Sequence, residues 1–256
     1  MKTIHKAVLL LLTGTMLSAP ALALAQDDDT GTNPINFTKD FRIYMEAQNL
    51  PGDAGNSLFK QTFEYRWPVL GGKLQVRTRI PVVGFSPEGD SSTFGLGDLD
   101  LRLLTVPYVS RRFAIATGLE TFFDSATNDV LGSGKTALAP VVFFVAFNPG
   151  GLKGTLLAPG YQYVFDVAGE SDRSDIRRSQ IDLFFVWISG DQKHWIVADP
   201  QIVLDHENDT ETGLIEVEVG QMMFGATSSY IRPGFHIAGD ELYDWNIELG
   251  FKVIWR

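Results

Sequence analysis

The residues of this chain that could do chemistry are few and scattered. There is no cysteine among the 256 residues, which excludes thiolate zinc sites, cysteine nucleophiles and a disulfide framework. Gly132–Thr136 reads GSGKT, but a phosphate-cradling loop needs a glycine where Asp129 stands, a buried strand before it and a helix after it. Gly95–Asp100 reads GLGDLD; Asp100 takes the place of the third glycine of a dinucleotide fingerprint, and a strand pattern follows where that fingerprint opens a helix. Both stretches therefore read as loops. His206 sits in DHENDTE, where Asp205, Glu207, Asp209 and Glu211 offer oxygen ligands. The glycine spacing of a calcium loop is missing, so the run reads as a solvated acidic loop. His236 has no serine two residues to either side, as a local serine–histidine pair on one strand face would need. No catalytic residue, metal site or cofactor is predicted, and the chain is not expected to be an enzyme.

The remaining ionisable residues follow a different rule, visible in YDWNIELGFKVIWR, residues 243–256. Every second residue from Tyr243 to Trp255 is apolar or aromatic, and those between are mostly polar or small. A period of two is the side-chain period of a strand. The pattern recurs in twelve stretches: Phe41–Gln48, Ser57–Trp67, Lys73–Val83, Gly97–Pro107, Arg112–Phe123, Thr136–Phe147, Thr155–Val167, Arg178–Ile188, His194–Asp205, Leu214–Phe224, Ser229–Ala238 and Leu242–Trp255. Most run to 10–12 residues, longer than typical soluble strands and long enough to cross a bilayer at a tilt.

The connections sort by parity. Short turns such as VLGG, YVSR and SGDQK follow the even strands, and longer loops such as GFSPEGDSSTF and DSATNDVLGSGK follow most odd ones. That alternation belongs to outer-membrane barrels. Trp67, Trp187, Trp195 and Trp255 are expected at the short-turn level, and Trp245 at the other, as aromatic belts.

The predicted fold is all-β: a closed antiparallel transmembrane barrel of about 12 strands over residues 39–256. Before it, Met1–Ala25 has a basic start, an apolar run and a small-residue end, the pattern of a secretory signal peptide. Residues 26–38 read as a flexible periplasmic lead-in. A barrel explains the ionisable residues, because an aqueous lumen can hold charges that a dry sandwich interior cannot.

The predicted lumen residues are Lys60, Arg66, Arg77, Arg79, Arg102, Glu120, Asp182, Glu216, Glu218, Arg232 and His236. Bases concentrate in the second to fourth strands and acids in the fifth to tenth. In a twelve-strand ring Arg77 and Arg79 would oppose Glu216 and Glu218, giving a transverse field that orients polar or zwitterionic solutes. Internal salt bridges that plug the barrel are the competing expectation. The net charge of −10 disfavours nucleic-acid binding. Expected partners are outer-membrane lipid, lipopolysaccharide and a small-molecule solute, for a monomer.

Phe94–Leu104 (FGLGDLDLRLL), with Arg79-Ile80-Pro81 upstream and Leu131–Pro140 (LGSGKTALAP) downstream, resembles the outer-membrane family called putative MetA-pathway of phenol degradation. The similarity runs from about Ser57 to the C-terminus. It departs at Phe122–Thr127 (FFDSAT), where that family often carries Pro-Thr-Gly, and at Arg256, which follows Trp255 where barrels often end in an aromatic. The resemblance implies a barrel that passes aromatic or other small compounds. An outer-membrane lipid hydrolase and an adhesive barrel with acidic loops are the alternatives; a serine–histidine pair within hydrogen-bond reach would favour the first.

Overall fold

The structure is a computed structural model that describes residues 30–51, 56–88 and 91–255. The segment read as a signal peptide lies outside the described residues. Thirteen strands follow one another: β1 (Lys39–Asn49), β2 (Ser57–Val69), β3 (Leu74–Ser86), β4 (Thr93–Leu96), β5 (Asp100–Val109), β6 (Phe113–Phe122), β7 (Lys135–Phe147), β8 (Thr155–Gly169), β9 (Arg177–Ile188), β10 (His194–Asp205), β11 (Thr210–Met222), β12 (Thr227–Gly239) and β13 (Trp245–Trp255). No helix among the described residues is long and apolar enough to cross a membrane.

Twelve of these strands close a ring. Each pairs antiparallel with its chain neighbours, β3 pairs with β5, and β1 pairs with β13 from Lys39↔Trp255 to Asn49↔Trp245. Closure satisfies the backbone of every strand within the sheet, which a hydrocarbon surround demands. The thirteenth, β4, is a four-residue flap paired with the end of β3. All twelve predicted strands are present. The acidic loop after β10 is shorter than expected, because β11 begins at Thr210 and leaves only residues 206–209 between the strands.

Alternation sets the two faces. Along β13 the exposed positions are Trp245, Leu249, Phe251, Val253 and Trp255, and the buried ones Asn246, Glu248, Gly250, Lys252 and Ile254. The polar row is enclosed and the apolar row faces outward. Exposed outward apolar residues also include Phe59, Ile80, Leu119, Ile181, Leu183, Phe185, Ile196 and Ile231. An apolar band around a polar interior inverts the arrangement of a water-soluble protein and matches a bilayer surround.

Two inward features depart from the expected aqueous lumen. Toward the short-turn end, Leu104, Ala114, Ala116, Val145, Leu156, Ala158, Val186, Ile188 and Trp195 form one packed apolar cluster. Ile35, ahead of β1, belongs to it and is 1% exposed. The described part of the segment expected as a flexible lead-in thus packs inside the barrel. Arg42 Nη2 donates to the Gly31 carbonyl at 3.0 Å, and Thr30 and Asn33 are buried as well. Sequence periodicity cannot foresee this placement, since a short irregular segment carries no pattern to read. Trp195 is the second departure. It is fully buried inside the ring, whereas Trp67, Trp187, Trp245 and Trp255 lie outside it.

Candidate functional site: a charged central chamber

The three stretches that carry the family resemblance converge at the loop end of the barrel. Gly97 N–H donates to the Pro81 carbonyl at 3.0 Å. A side chain on Gly97 would meet Val83 at 2.8 Å, so only glycine allows this approach. Asp98 accepts from the backbone N–H groups of Ser125 and Ala126 at 3.2 Å and of Ser133 at 2.7 Å. The GSGKT stretch is therefore tied down by a carboxylate, an arrangement opposite in sign to a phosphate cradle. Arg173, from the loop between β8 and β9, donates to the carbonyls of Asp129, Gly132 and Ser133. A cavity of about 630 Å³ lies at this mouth, walled by Asp98, Phe122, Arg173, Asp175, Arg178 and Asp205 among others.

Asp98, Phe122 and Arg178 also border a second cavity, a central chamber of about 610 Å³ inside the ring. Ten of the eleven predicted lumen residues line it: Lys60, Arg66, Arg77, Arg79, Arg102, Glu120, Asp182, Glu216, Glu218 and Arg232. His236 does not. After a register shift at Gly213/Leu214 it faces the Ala238 carbonyl at 2.8 Å and Glu241 at 3.7 Å, near the loop end of β12.

Most chamber charges are paired with their neighbours in the wall. On β1 and β2, Arg42 Nε meets Asp40 Oδ1 at 2.6 Å, Lys60 Nζ meets Glu46 at 2.8 Å, and Arg66 holds Glu64. On β3, β5 and β6, Arg77 holds Glu120, and Arg79 reaches Glu120 at 2.7 Å and Asp100 at 2.5 Å. Gln162 completes the Glu120 shell at 2.9 Å. On β11 to β13, Arg232 holds Glu218 and lies 3.5 Å from Glu248, while Lys252 Nζ is 3.3 Å from Glu218. Lys252 also sits 4.8 Å from the ring centroids of both Trp195 and Tyr230, a cation–π setting that suits a buried ammonium.

Arg77 and Arg79 on β3 do stand across the ring from Glu216 and Glu218 on β11, but the transverse field expected from them is replaced by the competing expectation of internal salt bridges. Each side is neutralised locally, because cross-strand neighbours stand within reach of one another and groups across a lumen do not. What stays uncompensated is smaller. Among the described residues, no carboxylate oxygen lies within 4.0 Å of Arg102 or Arg178, and no cation within that distance of Asp182 or Asp199. Among the described residues, Glu216 has Arg232 as its one cation within 4.0 Å, at 3.9 Å, and accepts from Asn246 at 2.8 Å and Tyr243 at 3.4 Å. Sequence reasoning did not separate these residues from the paired ones, since alternation places a side chain in the lumen without naming its partner. Among the described residues, no group of histidine and acidic side chains is placed to hold a metal ion.

One serine–histidine pair is present. Ser179 Oγ and His206 Nε2 are 2.8 Å apart on the outward face near the loop end, and Tyr161 Oη lies 3.1 Å from the same Oγ. Among the described residues no acid or amide side chain orients the other ring nitrogen of His206, so the triad logic is incomplete.

A closed antiparallel ring, an apolar outer band and an enclosed charged chamber define a transmembrane β-barrel of the outer-membrane class. Solved structures agree on this fold. The outer-membrane channel COG4313 from Pseudomonas putida F1 superposes with a TM-score of 0.67 at 10% identity, over 85% of this chain and 96% of that one. The NanC porin gives 0.61 at 11% identity, over 84% and 98%, and the KdgM porin 0.54 at 9%, over 85% and 99%. At such identities the likeness is one of fold. No family model matches the chain, and no curated protein matches it.

Proposed function

We propose that this chain is a monomeric outer-membrane channel that admits small polar solutes from its loop-end mouth into the central chamber, in the manner implied by the resemblance to the MetA-pathway family. The observation that carries this reading is the chamber itself: about 610 Å³, sharing Asp98, Phe122 and Arg178 with the mouth, and walled by charges of which some, among the described residues, have no ion-pair partner. A purely structural barrel has no use for unpaired charges in its interior, which cost stability. The porin and channel neighbours support the reading. The first 25 residues would direct export, the outer band would meet lipid and lipopolysaccharide, and the ten chamber residues named above would line the solute path.

Reconstitution tests it. Liposomes containing the refolded protein should swell in arabinose faster than empty ones, and planar bilayers should show discrete conductance steps. Neither signal from protein that migrates as a folded barrel would sink the channel reading. The Ser179–His206 pair favours lipid-ester hydrolysis as a second reading. Ester cleavage by the detergent-solubilised protein, abolished by Ser179→Ala, would establish it; the missing orienting group predicts none.

A further inference from the structure

We propose that the chamber holds a binding site for small zwitterions, with the solute's ammonium against Asp182, Asp199 and Glu216 and its carboxylate against Arg102. The proposal rests on the channel reading and names the class of solute.

The acidic wall is built against its own electrostatics. Asp199 and Glu216 are direct cross-strand partners, and Asp182 is paired with Gln201, two residues along β10 from Asp199. Like charges placed directly opposite destabilise a sheet. Among the described residues, no cation lies within 4.0 Å of Asp182 or Asp199, and the one beside Glu216, Arg232, already serves Glu218 and Glu248. The carboxylates are nevertheless held in place. Gln180 donates to Asp182 Oδ1 at 2.9 Å, and Gln201 to Asp199 Oδ2 at 2.8 Å. That leaves Asp199 Oδ1 buried with no hydrogen-bond partner, on a residue only 7% exposed that lines the chamber. A buried acceptor without a donor is a costly state. An ammonium supplies three donors and a positive charge, and so relieves both deficits at once. No metal-binding geometry is present among the described residues, which favours an organic cation over a metal ion.

The opposite wall mirrors this arrangement. Arg66, Arg77 and Arg102 are successive cross-strand partners on β2, β3 and β5. Arg66 and Arg77 are taken up by Glu64 and Glu120, and Arg102 is left over. β5 stands six strands from β11 in the ring of twelve, so Arg102 and Glu216 come from opposed walls of one chamber. A free guanidinium is a two-pronged carboxylate receptor. A solute charged at only one end would satisfy one wall and leave the other as it was.

Calorimetric titration of the full chain, refolded in detergent, with 4-aminobutyrate, butyrate and butylammonium tests this. 4-Aminobutyrate should bind about tenfold more tightly than either single-charge probe, the factor expected from one added charged hydrogen bond. Arg102→Gln should erase its advantage over butylammonium, and Asp199→Asn its advantage over butyrate. Asp182→Asn serves if Asp199→Asn does not fold, with heat-shifted gel mobility reporting the barrel. No binding of 4-aminobutyrate to folded protein, or equal binding of butylammonium that ignores Arg102→Gln, overturns the proposal. Arabinose swelling without 4-aminobutyrate binding would refute the site and leave the channel standing; binding without swelling would do the reverse.

Discussion

Trp195 lies across the bare backbone of its cross-strand partner Gly220 and donates its indole N–H to Glu218 Oε1 at 2.6 Å. A side chain on Gly220 would run into the indole ring. The same relation joins Tyr230 to Gly250 one strand pair away, where the phenol donates to Glu248 at 2.7 Å. Glycine here makes room for an aromatic that fills the barrel and still finds a polar partner. Gly220→Val should therefore destabilise the folded barrel by roughly 1–3 kcal/mol, the usual cost of overpacking. Urea unfolding in detergent, followed by tryptophan fluorescence, reads it.

Glu120 serves three donors, Arg77, Arg79 and Gln162, and is almost wholly buried. Removing it leaves Arg77 and Arg79 to share Asp100, at 3.4 and 2.5 Å, beside Arg102. Glu120→Ala should cost about 3–5 kcal/mol, the range for breaking a buried ion pair from one side. The same unfolding experiment should show a far smaller loss for Arg102→Gln, because Arg102 has no ion pair to lose.

Ile35 joins the apolar cluster around Trp195 and Val186 at the short-turn end of the chamber. Ile35→Asp puts a charge among apolar side chains and should release the segment from that cluster. Single-channel conductance should rise several-fold over the unmodified protein, with ring stability little changed. An unaltered conductance would mean that the segment does not obstruct passage.

Leu249 lies midway along β13 on the outer face and is 44% exposed. If lipid covers it, Leu249→Arg should cost about 2–4 kcal/mol. The change should be nearly neutral if water does. Equilibrium refolding into lipid vesicles distinguishes the two.

The paired and unpaired charges also change which substitution should control ion selectivity. Neutralising Arg77 removes a cation already cancelled by Glu120, so it should alter stability more than selectivity. Arg102→Gln removes an uncancelled positive charge and should shift the pore toward cations in reversal-potential measurements.

By itself the sequence determined the ring. A period-two pattern dictates which side chains share a face, and the lengths and turns of twelve such stretches leave closure as the arrangement that satisfies every strand edge. It determined equally that the ionisable rows point inward, and ten of eleven named residues line the chamber. Only the tertiary structure decided what those charges meet. Pairing follows from register and from distances around the ring, which place Glu120 within reach of Arg77 and leave Arg102 and Asp199 without an ion pair. The same holds for the inner apolar cluster. Nothing periodic marks Ile35, and Trp195 reads in sequence like the other tryptophans until Gly220 opens a space for it inside the barrel. Faces are a local property of the backbone, whereas partners depend on strands far apart in the chain.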